Sequence, residues 1–330
     1  TNNKFYGVYY DGVTGSIFYG ITLVDSSQYI NIGDNIFERV RHGAVTVSKT
    51  WGQSGWGQPL YINIHHNQML DAEAGGGGRS WGFEHHGFGK YISFNNNMVN
   101  GGYGGVNVDA GYQVEIFDNV FTNIWYVGIE LGSTALKLGN IFCSGNKIST
   151  ETNETAVQTV GVRLDNVSSS ASDIIISNNF ITGVDGNTSI GVYLNSGTTT
   201  RGVVVKNNSI VTGASGQDGD SGYGITSYSS EVDIIGNTVM NYRQGIYNQG
   251  AYTTIKNNIV KFDTNPTTGF GIYNTASNVV IDGNLCVRTY SSIYITATST
   301  NSVVTNNVMK SYVSAGLTDL GTTTTKVNNN

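Results

Sequence analysis

The chain has 330 residues, a formal net charge of −6, only 12% charged residues, and 44 Gly against 2 Pro. No Lys/Arg cluster offers a phosphate-binding surface and no apolar stretch approaches the roughly 20 residues that cross a bilayer, so neither a nucleic-acid partner nor membrane insertion is expected. A hydrophobic share of 38% with 20 Tyr and 12 Phe also excludes a disordered polar tract, leaving a folded repeat protein in which Gly and Asn recur at turns.

In chain order, residues 1–28 already read as strand. The segment YINIGDNIF (29–37) then returns as YINIHHNQM (61–69), YISFNNNMV (91–99) and QVEIFDNVF (113–121). It continues as NIFCSGNKI (140–148), DIIISNNFI (173–181), GVVVKNNSI (202–210) and EVDIIGNTV (231–239). TTIKNNIV (253–260), VVIDGNLC (279–286) and SVVTNNVM (302–309) close the series. Residues before each shared Asn alternate apolar and exposed, the period of a strand with one buried face. A short x-apolar piece and a variable loop follow, and then a second strand opens with Gly, as in GVNV (105–108), GIEL (128–131), GVRL (161–164) and GVYL (191–194). Strands recurring at this spacing without amphipathic helices cannot build βαβ units, but they can stack in parallel coils. The expected fold is all-β, a right-handed single-stranded parallel β-helix of about 11–12 rungs forming one domain over residues 1–330. The marker Asn is expected to hold a left-handed corner and to bond to its equivalents above and below. Cys143 and Cys286 fall at core positions five rungs apart, about 24 Å at the strand spacing, and are expected to be buried free thiols.

This register covers about 300 residues and resembles the pectate-lyase-type β-helix superfamily, within it most closely the receptor-binding domain of bacteriophage tailspikes. The resemblance implies an extracellular protein of the virion tail that cleaves bacterial capsular or O-antigen polysaccharide as an endo-glycosidase, packs as a parallel homotrimer and needs no cofactor. It also implies a fragment of a longer chain that lacks the particle-attachment region, with the Gly-led strand as the floor of the sugar groove. A polysaccharide lyase and a non-catalytic adhesin are the alternatives.

On the Gly-led strand the register aligns Thr46, Glu84, Asn107, Glu130, Arg163, Tyr193, Thr226, Tyr247, Tyr273 and Tyr294 in one outward column. Ser48, His86, Asp109, Gly132, Asp165 and Asn195 follow two residues further on. Glycoside hydrolysis needs one carboxyl to protonate the leaving oxygen and another to activate water or attack. Glu84, Asp109 and Glu130 are therefore the candidate catalytic set. Arg163, His86, Asn107, Asp165 and Tyr193 are candidate substrate contacts. Trp51 and Trp56 in one loop, Arg79 and Trp81 at the Gly-rich loop, and Trp125 are placed as further sugar contacts, since an aromatic plane packs against sugar C–H groups.

The pairs His65–His66 and His85–His86 are not expected to hold a metal, because adjacent strand residues point to opposite faces. On the strand before the Asn, the outward residues run Asn31, Asn63, Ser93, Glu115, then Phe142, Ile175 and Val204. Asp233 and Thr254 interrupt before Val280 and Val303. Such an apolar stripe fits an intersubunit face.

Overall fold

The computed structural model describes residues 1–6, 20–24, 27–40, 43–48, 60–70, 80–86, 89–132, 138–151, 158–165, 171–183, 189–195, 201–212, 222–263, 266 and 268–329. Trp51, Trp56 and Arg79 lie outside them.

Among the described residues every regular element is a strand, and the strands fall into three parallel sheets of 12. One sheet is built from the strands before the Asn markers and one from the Gly-led strands, as the alternation predicts. The third is a correction. The x-apolar piece after each Asn is itself a strand of three to five residues, such as Met98–Asn100 or Val120–Ile124. It pairs only with its equivalents in neighbouring coils. At that length a strand shows only one or two inward side chains, too few to reveal a period.

A single interior runs the length of the coil. Ile92, Phe94 and Val99 fill it from one rung, and Ile116, Phe121 and Val106 from the next. Each such buried side chain contributes roughly 1.5–3 kcal/mol. Phe83 stacks on Phe94 at 5.2 Å between ring centroids, and Phe94 on Phe121 at 6.4 Å, so a short run of stacked aromatic rings forms part of this interior. Cys143 and Cys286 are buried free thiols in two different sheets.

The Asn ladder is continuous and slightly longer than the sequence repeat. Asn35, Asn67, Asn97, Asn119 and Asn146 each donate the backbone N–H and the amide Nδ2 to Oδ1 of the next Asn at 2.9–3.1 Å. Asn3 and Asn329 extend it at the two ends. The left-handed corner, however, sits one residue earlier than expected. Asp34, His66, Asn96, Asp118 and Asn178 have φ of 52–58°. Gly145, Gly236 and Gly283 occupy the same place in other rungs. The two tasks are divided: the residue before the marker turns the chain, and the marker satisfies the buried backbone groups that the turn leaves open.

The glycine of the Gly-led strand has a packing cause. A Cβ at Gly128 would lie 2.5 Å from Ile148 Cγ2 and 2.6 Å from the Gly161 carbonyl oxygen, so no larger residue fits where this strand meets the post-Asn sheet.

Candidate functional site

The Gly-led strands Gly43–Ser48, Trp81–His86, Gly104–Val108, Val127–Leu131, Thr159–Leu164 and Ser189–Leu194 carry the predicted residues. Pairing follows the expected column: Thr46 with Glu84, Glu84 with Asn107, Asn107 with Glu130, Glu130 with Arg163, and Arg163 with Tyr193. Asp109 and Asp165 lie just beyond their strands.

The side chains gather into two ionic groups rather than one. In the first, His86 bridges two carboxylates, with Nδ1 2.5 Å from Asp109 Oδ2 and Nε2 3.6 Å from Glu84 Oε2. Glu84 is only 5% exposed and also accepts a 3.3 Å hydrogen bond from the Thr46 hydroxyl. Burial alone disfavours a charged imidazole here, but the hydrogen bonds and attraction of Asp109 and Glu84 outweigh it and raise His86 to about 10. His86 is therefore an imidazolium at neutral pH.

In the second group Arg163 donates to Asp165 and to the Tyr126 hydroxyl, and lies 3.9 Å from Glu130 Oε1. Burial opposes the guanidinium charge, and Asp165, Tyr126 and Glu130 outweigh it. Asn195 donates to Asp165 Oδ1 at 2.6 Å. Across the two groups four carboxyl side chains, Glu84, Asp109, Glu130 and Asp165, face two cationic ones, His86 and Arg163. Asn107 stands between the two groups.

Trp81 is a correction. It is 2% exposed and packs down on the solenoid, edge to face with Tyr103, its ring lying where a Gly104 side chain would be. It offers no face to a sugar. Trp125 is half-buried at the turn before Val127–Leu131, and Tyr193 is half-buried beside Arg163. Tyr126 is the residue that the strand columns could not show. It sits in a turn, and only the reach of Arg163 brings it to the site.

The histidine pairs also divide. His85 points inward and His86 outward, as strand alternation requires. His65 and His66 instead converge, Nδ1 to Nδ1 at 2.9 Å, because φ of 52° at His66 turns that side chain back toward its neighbour.

His85 has a consequence for acid stability. Burial lowers it from 6.5 to about 4, so the folded chain holds it neutral. The unfolded chain takes up the proton first, and stability falls as pH drops from 6.5 toward 4, by about 3 kcal/mol at most. His85→Leu is expected to remove most of that acid loss in urea unfolding at pH 7 and pH 4. An unchanged acid loss would place its cause elsewhere. For His86 the sign is opposite: its stabilisation is complete below 6.5 and is lost as pH rises through about 10.

No protein-family model and no curated protein match this sequence. Solved structures do match. Over 90% of its length the chain is similar to the Dettilon tailspike protein, with a TM-score of 0.60 and 15% identity. It is also similar to a double mutant of the tailspike of E. coli bacteriophage HK620 in complex with a pentasaccharide, with a TM-score of 0.53 and 13% identity over 90% of the chain. At that identity the likeness is one of fold: a tailspike-like, right-handed parallel β-helix. The chain spans about three fifths of each of these proteins, 60% in both cases.

Proposed function

We propose that this chain is the glycan-cleaving β-helix of a phage tailspike, an endo-glycosidase that hydrolyses capsular or O-antigen polysaccharide outside the bacterial cell. The observation that carries the reading is the shared column of Glu84 and Glu130, separated by the single rung of Asn107. Two rungs put their strands roughly 9–10 Å apart, close to the roughly 6.5–9.5 Å that leaves room for a water between two carboxyls and inverts the sugar configuration. One of the pair protonates the leaving oxygen, and the other activates the water. Asp109 and His86 hold Glu84 in place, while Arg163 and Asp165 border Glu130 and orient the substrate.

A lyase would need His86 and Arg163 free to neutralise a uronate carboxylate. Both already face carboxylates of the chain itself, which favours hydrolysis. Product chemistry separates the two: hydrolysis yields new reducing ends with no ultraviolet-absorbing double bond, whereas elimination yields that double bond with each cut.

Assembly as a homotrimer belongs to the same proposal. Glu115, Phe142, Ile175 and Val204 are in register on the outer face of the pre-Asn sheet, and Phe142 is 42% exposed. This stripe is the surface a neighbouring copy would cover. Light scattering is expected to give three times the chain mass, and Phe142→Asp to lower it. A monomeric mass for the unaltered chain would remove the trimer.

A further inference from the structure

His65 and His66 take no part in the ionic groups. They close the strand Leu60–His65 at a corner of the pre-Asn sheet, a different sheet from the one that carries Glu84 and Glu130. Adjacent strand residues ordinarily point apart. Here both Nδ1 atoms meet at 2.9 Å, with the two ring planes 84° apart.

The His65 ring is seated by its neighbours. Gly33, its pairing partner in the preceding rung, leaves the space: a Cβ there would lie 2.3 Å from His65 Cε1 and 2.6 Å from Nε2. The same Nε2 is 2.9 Å from Asn31 Oδ1. The Asn31 amide is itself oriented, since Asn95 donates to Asn63 Oδ1 at 2.8 Å and Asn63 donates to Asn31 Oδ1 at 3.1 Å. An amide oxygen can only accept, so Nε2 of His65 carries the proton and the neutral ring has a bare lone pair at Nδ1. An oxygen acceptor on one ring nitrogen that frees the other is the arrangement that supports metal-binding imidazoles.

The spacing selects among metals. With metal–nitrogen bonds of roughly 2.0–2.1 Å, nitrogens 2.9 Å apart subtend about 90° at a shared ion. That is the cis angle of a tetragonal site, the preference of Cu²⁺ and Ni²⁺. A tetrahedral zinc angle would need a separation of about 3.3 Å. His66 is exposed, so its ring can turn to aim its own lone pair at the ion. Asp34 holds the same corner place in the preceding rung, one strand spacing or roughly 5 Å away, and adds an acidic side chain to the surroundings. Among the described residues no three His, Cys, Asp or Glu side chains gather as a closed metal cage, so the remaining positions belong to water.

We propose that the Nδ1 atoms of His65 and His66 form a two-nitrogen site for a Cu²⁺ or Ni²⁺ ion, with Asn31 and Gly33 as positioning residues. The ion ties the end of the strand Leu60–His65 to its own corner. It takes no part in the chemistry at Glu84 and Glu130, so the site stands apart from the glycosidase reading.

The test titrates the full chain, first freed of metal by chelation, with CuCl₂, NiCl₂ and ZnCl₂ by calorimetry. One Cu²⁺ ion per chain is expected, with nickel held more tightly than zinc. His65→Asn and His66→Asn place at each position the residue that the next rung already has there, Asn95 and Asn96, so the fold is kept. Each should weaken Cu²⁺ binding by about tenfold or more, and Asn31→Ala, which leaves both imidazoles in place, by about tenfold. Asp118→Asn, at the same corner two rungs on, should change nothing. Paramagnetic resonance should show an axial Cu²⁺ signal with two nitrogen donors, and one in His66→Asn. Circular dichroism of each variant controls for folding. Binding that survives both histidine changes, full-strength binding in Asn31→Ala, or no saturable Cu²⁺ binding would each overturn the site. Zinc held more tightly than nickel would overturn the choice of metal.

Discussion

Alanine in place of Asn179 is expected to lower the stability of the chain by about 4 kcal/mol, while glycine at the adjacent Asn178 should leave it within about 0.5 kcal/mol. Asn179 is 1% exposed and is fully used. Its Oδ1 accepts from the backbone N–H and the Nδ2 of Asn146, and its Nδ2 donates to the Cys143 carbonyl and to Asn208 Oδ1. Alanine strands at least three of those buried groups, at about 1–3 kcal/mol each before relaxation. Asn178 is exposed and has φ of 55°, a conformation that glycine adopts without strain. Guanidinium unfolding of both variants checks the contrast. Equal losses at the two positions would mean that corner geometry, not amide bonding, holds the rungs together.

The second large effect is catalytic. Glu84→Gln and Glu130→Gln are each expected to lower the rate of polysaccharide cleavage by about 10²–10⁴-fold, the usual contribution of a positioned general acid or base. Stability should change far less, since glutamine keeps the shape of each side chain. The two variants differ in a second readout. His86 is held charged largely by Asp109 and Glu84, so its titration, followed by NMR, should move down in Glu84→Gln and hardly at all in Glu130→Gln. Rate loss together with an unmoved His86 would assign Glu84 to catalysis but detach it from the His86–Asp109 bridge. Full activity in both variants would move the chemistry off this column.

Much of this was legible in the sequence because a strand with one buried face admits only one register. Slipping by one residue would turn Ile92 and Phe94 out to solvent and bury Ser93. The same constraint that fixes the core also lines up Thr46, Glu84, Asn107, Glu130 and Arg163, which is why the outward column could be read without coordinates. What escaped depends on side-chain reach or on short elements. Nothing in the register says that His86 spans Glu84 and Asp109, or that Arg163 reaches Tyr126, because both contacts depend on rotamers across rungs. From sequence, Trp81 beside the Gly-rich loop reads as an aromatic available to sugar. The missing side chain at Gly104 leaves the space that its indole fills. Sequence does not separate the corner from the marker Asn, because the two are adjacent and both are often Asn, as at 96–97 and 178–179.

The central claim is that the Gly-led face around Glu84 and Glu130 cuts a polysaccharide internally. The most direct measurement is the chain-length distribution of bacterial surface polysaccharides after incubation with the unaltered chain and with the Glu84→Gln, Glu130→Gln double variant. The expected result is a rapid fall in mean length for at least one polymer, with one new reducing end per cut and no unsaturated product, and no fall with the double variant. Binding with no change in length, or shortening that the double variant performs equally well, would contradict it.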